Sequence, residues 1–165
     1  MNLLVIRHAE AVPLGHEGVD TDEARYLTDA GREVGGLLSR TLQRHTPSLA
    51  LILTSPLVRA RQTAEAIVTA WPDQAPILEE TPLLAPGGRR RKIAERLREY
   101  SFDTIAIVGH NPDLSELVGW FIGEKNLGLD LEKGGVACLQ FDDHPSKATG
   151  LLSWLITPAW CEPSS

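Results

Sequence analysis

Three short apolar runs constrain this chain more than any other feature. Leu3 to Ile6, Leu49 to Leu53 and Thr104 to Val108 lack the period-two alternation of a half-exposed strand, as expected of parallel strands covered on both faces. A helical pattern follows the second and third runs: Leu57, Ala60, Ala64 and Ile67 after one, Leu114, Leu117, Val118 and Phe121 after the other. The first run leads instead through a polar loop over 11 to 26 to a helix from Thr28, whose core face reads Ala30, Val34, Leu37, Leu38 and Leu42. A further helix over Lys92 to Tyr100, with Ile93, Leu97 and Tyr100 on one face, precedes the strand at Thr104, and Pro76 to Leu78 read as a short extra strand. Towards the C-terminus, Val136 to Phe141 and Leu151 to Ile156 flank a polar Asp-Asp-His-Pro-Ser-Lys stretch, which predicts a hairpin or consecutive edge strands. The expected architecture is α/β: a three-layer α/β/α sandwich around a mostly parallel sheet with at least one antiparallel edge strand.

With 165 residues, 42% of them hydrophobic, the chain can bury one core without disulfides or metals. No repeat or linker divides it, so a single domain over 1–160 with a short tail, 161–165, is expected. The net charge of −6 disfavours nucleic acid and anionic membranes as partners. Cys138 and Cys161 stand in neither a metal-ligand nor a redox spacing. The opening MNLLVIRHAE holds too short an apolar run for a signal peptide or membrane span. A reducing, cytoplasmic setting is the expectation.

In open α/β sheets, ligands bind beyond the carboxyl ends of the strands, where loops meet helix N-termini. Here the first strand ends in Arg7-His8, the second runs into Thr54-Ser55-Pro56 with Arg59 a turn later, and the third ends in Gly109-His110-Asn111-Pro112. Ser55 and Asn111 suit helix N-caps, and Pro56 and Pro112 suit first helical positions. Two helix N-termini and the planar forks of Arg7 and Arg59 then favour a bound dianion such as a phosphoryl group. Each piece alone has a plain structural reading. A single histidine is usually structural, Arg59 with Arg61 and Glu65 behind it reads as a solvated helix face, and Gly109-His110 serves as a strand-to-helix turn. Four basic groups at three strand ends make a site the better account of them together.

The segments Arg7-His8-Ala9-Glu10, Thr54-Ser55-Pro56-Leu57-Val58-Arg59-Ala60-Arg61-Gln62-Thr63 and Gly109-His110-Asn111-Pro112, in that order, resemble the histidine phosphatase, or phosphoglycerate mutase-like, superfamily. The resemblance runs from residue 2 to about residue 158. Within the superfamily it is similar to the SixA-type phosphohistidine phosphatases, through Leu27-Thr28-Asp29-Ala30-Gly31, Thr81-Pro82-Leu83-Leu84-Ala85-Pro86-Gly87-Gly88 and Trp154-Leu155-Ile156-Thr157-Pro158. The resemblance implies that His8 attacks phosphorus and becomes a phosphohistidine intermediate, while Arg7, Arg59 and His110 hold the phosphoryl oxygens. Asn111, Glu10 and Ser55 are further candidates for contact with the substrate, and no metal or other cofactor is implied. A nucleophilic imidazole must be neutral, and the charges of Arg7 and Arg59 should lower the pKa of His8. His110 is better placed to donate to charge building on the phosphoryl oxygens.

The chain departs from the family pattern in three places. Ala9 replaces the glycine that usually follows the nucleophile, and Val12-Pro13-Leu14-Gly15 lacks an asparagine that many members use to hold phosphate. Where members acting on alcohol phosphates place a carboxylic acid, this chain reads Leu83-Leu84-Ala85, and the nearby Glu79 and Glu80 read as surface carboxylates. An alkoxide leaving group needs that acid; the imidazole of a phosphohistidine does not. A short chain without cap insertions suits a protein-borne phosphate, such as that of a histidine phosphotransfer protein, and the run Arg89-Arg90-Arg91-Lys92 offers a dock for an acidic partner or a solvated helix start. The alternatives are a small-molecule phosphomonoesterase or mutase of the same fold and a non-catalytic phosphate or phosphopeptide reader. A metal hydrolase ranks last, because two arginines repel a divalent cation.

Overall fold

A computed structural model describes residues 1–46, 48–71 and 75–161. Its six strands are β1 (Asn2–Arg7), β2 (Leu51–Thr54), β3 (Ile77–Glu80), β4 (Thr104–Gly109), β5 (Val136–Gln140) and β6 (Leu151–Ile156), and its four α-helices are α1 (Asp29–His45), α2 (Val58–Val68), α3 (Arg90–Leu97) and α4 (Asp113–Ile122). The strands form one sheet in the order β3-β2-β4-β1-β5-β6. The first four are parallel to one another; β5 runs against β1, and the edge strand β6 pairs antiparallel with β5. Residues 162–165 of the expected tail lie outside the described residues, whereas Cys161 is buried against the core.

The missing alternation in the strands has a direct cause. In β1, Leu3 and Val5 pack on one face with α3 and α4, while Leu4 and Ile6 pack on the other with α1 and α2. In β4, Ile105 and Ile107 join the first layer and Ala106 and Val108 the second. Each large apolar side chain of this kind, fully withdrawn from water, stabilises the fold by about 1.5–3 kcal/mol before entropy is counted. The opposite edge is different: β6 alternates exposed and half-buried residues along its whole length.

Four boundaries and faces differ from the sequence reading. The buried face of α1 is Gly31, Gly35, Leu38 and Leu42, with Ala30 exposed and Val34 and Leu37 half-buried. The helix is rotated because its glycines allow close approach: a Cβ at Gly31 would lie 2.1 Å from the Glu10 carbonyl oxygen, and one at Gly35 would lie 3.2 Å from Ala66 Cβ. A hydrophobic pattern does not register glycine as a contact residue. α2 starts at Val58, without Ser55 as its cap, and α4 starts at Asp113, with Pro112 rather than Asn111 at the cap position. α3 begins at Arg90, so the basic run fills its first turn, and Tyr100 lies beyond its end. Pairing of Arg90 with Glu116 (3.2 Å) and of Lys92 with Glu95 (2.7 Å) offsets charge that is unfavourable at a helix N-terminus.

Candidate active site

The carboxyl ends of β1, β2 and β4 bring His8, Arg59 and His110 together, because β4 lies between β1 and β2 and pairs in register with both. The backbone of His8 is fixed from two sides: its N–H donates to Gly109 O (3.1 Å), and its carbonyl accepts from Gly134 N (3.1 Å). Gly134 has φ +77 and no room for a side chain, since a Cβ there would meet Val34 Cγ1 at 2.5 Å. A residue far from any motif thus shapes the turn that carries His8.

The ring of His8 is oriented by its own neighbour. Nδ1 lies 2.7 Å from Ala9 O; a carbonyl only accepts, so Nδ1 carries the proton and the lone pair is on Nε2. Arg59 Nε–H donates to that lone pair at 3.2 Å. The two imidazoles lie 5.0 Å apart, tilted by 55°. Burial pulls His8 down to about 3 and His110 to about 4. For His8 the hydrogen bond to Ala9 O opposes it and His110, Arg59 and Arg7 add to it; for His110 the arginines add to it while Asp22 and Asp113 oppose it. Desolvation thus outweighs the arginine charges expected from the sequence to lower His8.

Ser55 is fully buried, with Oγ 2.8 Å from His110 Nε2 and accepting from Leu57 N. It therefore acts on the site by holding His110. Arg7 reaches Leu131 O with one terminal nitrogen (2.8 Å) and has Asp130 at 3.6 Å. Asn111 directs its side-chain amide to Leu131 O (3.1 Å), not to a helix end. Glu10 is exposed and accepts from the Thr28 hydroxyl at 2.9 Å, which ties it to the start of α1. It also lines, with Arg7, Asp130 and Lys133, an open groove of about 420 Å³. A larger groove of about 690 Å³, lined by Ser115, Trp120, Lys125 and Lys147 among others, includes none of the strand-end cations.

Three buried polar atoms have no partner among the described residues: Arg7 Nε, His110 Nδ1 and Asn111 Oδ1. Leaving a buried polar group unpaired costs about 1–3 kcal/mol, and all three belong to side chains at one rim. Two are nitrogens on the cradle residues Arg7 and His110, which suits an oxyanion. Of the carboxylates upstream, Glu79 bonds Arg96 and the Tyr100 hydroxyl, and Glu80 faces Arg61. Leu83 and Leu84 line the wall beside His110. Among the described residues no cluster of three His, Cys, Asp or Glu is placed to hold a metal, and no helix is long and apolar enough to cross a membrane.

Sequence reasoning missed Thr63 and Asp22. Thr63 Oγ1 accepts from Ala9 N (3.1 Å) and donates to Arg59 O (2.8 Å), linking the turn after β1 to α2. Asp22, in the long loop, contacts the Arg59 guanidinium through both its side chain and its backbone. Arg25, in the same loop, bonds Asp22 (2.9 Å) and Val12 O (2.7 Å).

Burial of two neutral imidazoles sets a pH dependence. The unfolded chain protonates both as pH falls below their ordinary value of 6.5, whereas the folded protein resists until about 4 and about 3. The folded state therefore binds fewer protons across that window, and stability intact above pH 6.5 is lost as pH falls towards 4 and then 3. Urea denaturation should give a lower midpoint at about pH 5 than at neutrality, with a smaller difference in His110→Ala; equal midpoints at both pH values would contradict this.

A mostly parallel α/β sheet that brings two imidazoles and two arginines to one strand-end rim, with unpaired nitrogens on Arg7 and His110, suits a protein that handles phosphoryl groups. A sequence profile of the histidine phosphatase superfamily (branch 1) matches residues 3–103, and the chain belongs to that superfamily. It is 28% identical, over 89% of its length and 92% of the relative's, to a phosphohistidine phosphatase SixA homolog from Haemophilus influenzae. Its fold matches that of the protein histidine phosphatase SixA complexed with tungstate, with a TM-score of 0.83 and 22% identity over 96% of this chain and 98% of the other. It also matches an alpha-ribazole phosphatase from Shigella flexneri, with a TM-score of 0.74 and 21% identity over 96% and 97% of the two chains.

Proposed function

We propose that this protein is a metal-independent phosphatase that removes phosphoryl groups from phosphohistidine on another protein, through a transient phosphohistidine at His8. The observation that carries the reading is the ring of His8, with Nδ1–H locked onto Ala9 O and the Nε2 lone pair turned to Arg59. In the first step Nε2 forms a bond to phosphorus as the P–N bond to the substrate imidazole breaks; that imidazole keeps the electron pair and takes a proton from solvent. Positive charge grows on the His8 ring, and Ala9 O, already accepting from Nδ1–H, stabilises it. Arg59 exchanges its contact with Nε2 for a phosphoryl oxygen, and Arg7 and His110 donate to the others. Water then attacks phosphorus, the P–Nε2 bond breaks, and the ring regains its lone pair as phosphate leaves.

The substrate assignment is supported by Leu83, Leu84 and Ala85 beside His110, where an acid for an alkoxide leaving group would be needed; Asp113, the carboxylate that lines the same wall, accepts from Gly87 N (2.7 Å). The open groove beside Arg7 suits a phosphate carried on a protein surface. Among the described residues Arg89, Arg91, Lys125 and Lys147 form no ion pair; they leave positive charge for an acidic phosphotransfer partner on a chain of net charge −6.

The test is phosphate release, with chelator present, from a phosphohistidine-bearing phosphotransfer protein and from p-nitrophenyl phosphate. Fast chelator-resistant release from the protein with slow turnover of the ester is expected. Rapid ester turnover with an inert phosphohistidine protein would move the substrate to small phosphate esters.

A further inference from the structure

Arg59 is shared between the nucleophile and an acidic residue of the loop. A guanidinium has five N–H donors, and here Nε goes to His8 (3.2 Å), one terminal nitrogen to Asp22 O (2.6 Å) and the other to Asp22 Oδ2 (2.8 Å). Asp22 is held in turn: its second carboxylate oxygen accepts from Arg25, Arg25 is tied to Val12 O, and the next carbonyl, Glu23 O, accepts from Val58 N at the start of α2. Arg25, and after it Arg59, keeps the Asp22 carboxyl below the usual carboxylate range. An ionised carboxylate is therefore built into an anion-binding rim. It offsets the charge of Arg59 at contact distance, whereas the solvent-exposed Asp130 stands 3.6 Å from Arg7, and His8 and His110 add no charge at neutral pH.

We propose that Asp22 sorts substrates by charge: it opposes phosphates that bring a second anionic group beside phosphorus and leaves the site open to a phosphoryl group on a neutral or cationic ring. This rests on the phosphatase reading and narrows it. A phosphorylated imidazole has no anionic neighbour on the ring and can take a proton on its other nitrogen. A metabolite phosphate with an adjacent carboxylate adds negative charge where Asp22 already stands, and like charges at contact distance weaken binding by about tenfold or more, less at high salt.

The experiment compares the full-length protein with Asp22→Asn and Asp22→Ser. Inorganic phosphate binding is measured by calorimetry, and kcat and KM are measured for phenyl phosphate and 3-carboxyphenyl phosphate. Both variants should bind phosphate about tenfold more tightly. The ratio of kcat/KM for the carboxylated ester over the plain ester should rise severalfold, mainly through KM. If Asp22 merely props up Arg59, both variants would loosen the fork; unchanged or weaker phosphate binding, or an unchanged ester ratio, overturns the proposal. Should the wild-type protein turn over no phosphoryl substrate, the phosphatase reading fails, while the phosphate titration still decides whether Asp22 opposes anions.

Discussion

His8→Ala is expected to lower kcat/KM for phosphoryl substrates by at least about 10⁴-fold, because the covalent route is lost and not merely slowed. No second group among the described residues stands ready to replace it. His110 has Nε2 engaged by Ser55, and in the proposed mechanism its unpaired Nδ1 donates to the phosphoryl oxygens. The variant should stay folded: it forgoes the hydrogen bond that Arg59 Nε donates to His8, while Arg59 keeps both of its hydrogen bonds to Asp22. Rapid quench with a radiolabelled phosphoryl donor checks the chemistry directly: wild type should give an acid-labile, alkali-stable label on the protein, and His8→Ala none. Activity within tenfold of wild type, or a persistent label, would remove His8 from its role. Phosphate binding without any covalent label in wild type would leave a reader of phosphate in place of an enzyme.

Arg59→Ala should cost about 10³-fold in kcat/KM, the scale of losing a preorganised donor aimed at transition-state charge. The larger part is expected in kcat, because charge spreads over the phosphoryl oxygens as the leaving bond lengthens. Arg59→Lys should recover little of it. A single ammonium cannot hold two points of Asp22 while a third donor faces His8, which the planar fork does with distances of 2.6, 2.8 and 3.2 Å. Arg59 is only 4% exposed, so its removal also leaves Asp22 without that partner in the loop; thermal melts on both variants separate loss of fold from loss of chemistry. A lysine variant with near wild-type kcat would show that charge alone suffices and that the fork geometry is incidental.

Most of the fold is legible in the sequence because its rules are local. Strands covered on both faces appear as unbroken apolar runs or short extensions of them, and helices packed on one side appear as three-to-four-residue periodicity. The differences lie where the contact residues are not hydrophobic. The face of α1 departs from its apolar pattern because Gly31 and Gly35 make its closest approaches. The helices α2 and α4 start later than their capping signals suggest: Ser55 Oγ accepts from Leu57 N ahead of α2 and also meets His110, and the Asn111 side chain bonds Leu131 O instead of a helix end.

The sequence by itself determined the strand-end motifs, and with them the convergence of His8, Arg59 and His110, because parallel β/α topology delivers successive strand ends to one rim. It also determined that Leu83-Leu84-Ala85 offers no acid. Only the tertiary structure decided which nitrogen of His8 carries the lone pair, how strongly burial keeps both imidazoles neutral, and which loop residue meets Arg59. These depend on atoms brought together across tens of residues: Asp22 and Arg59 are 37 positions apart, and Arg7 and Leu131 are 124. A loop of polar residues has no periodicity to show which of its side chains will turn inward. The closing of that loop against α2, through Glu23 O and Val58 N, made the choice.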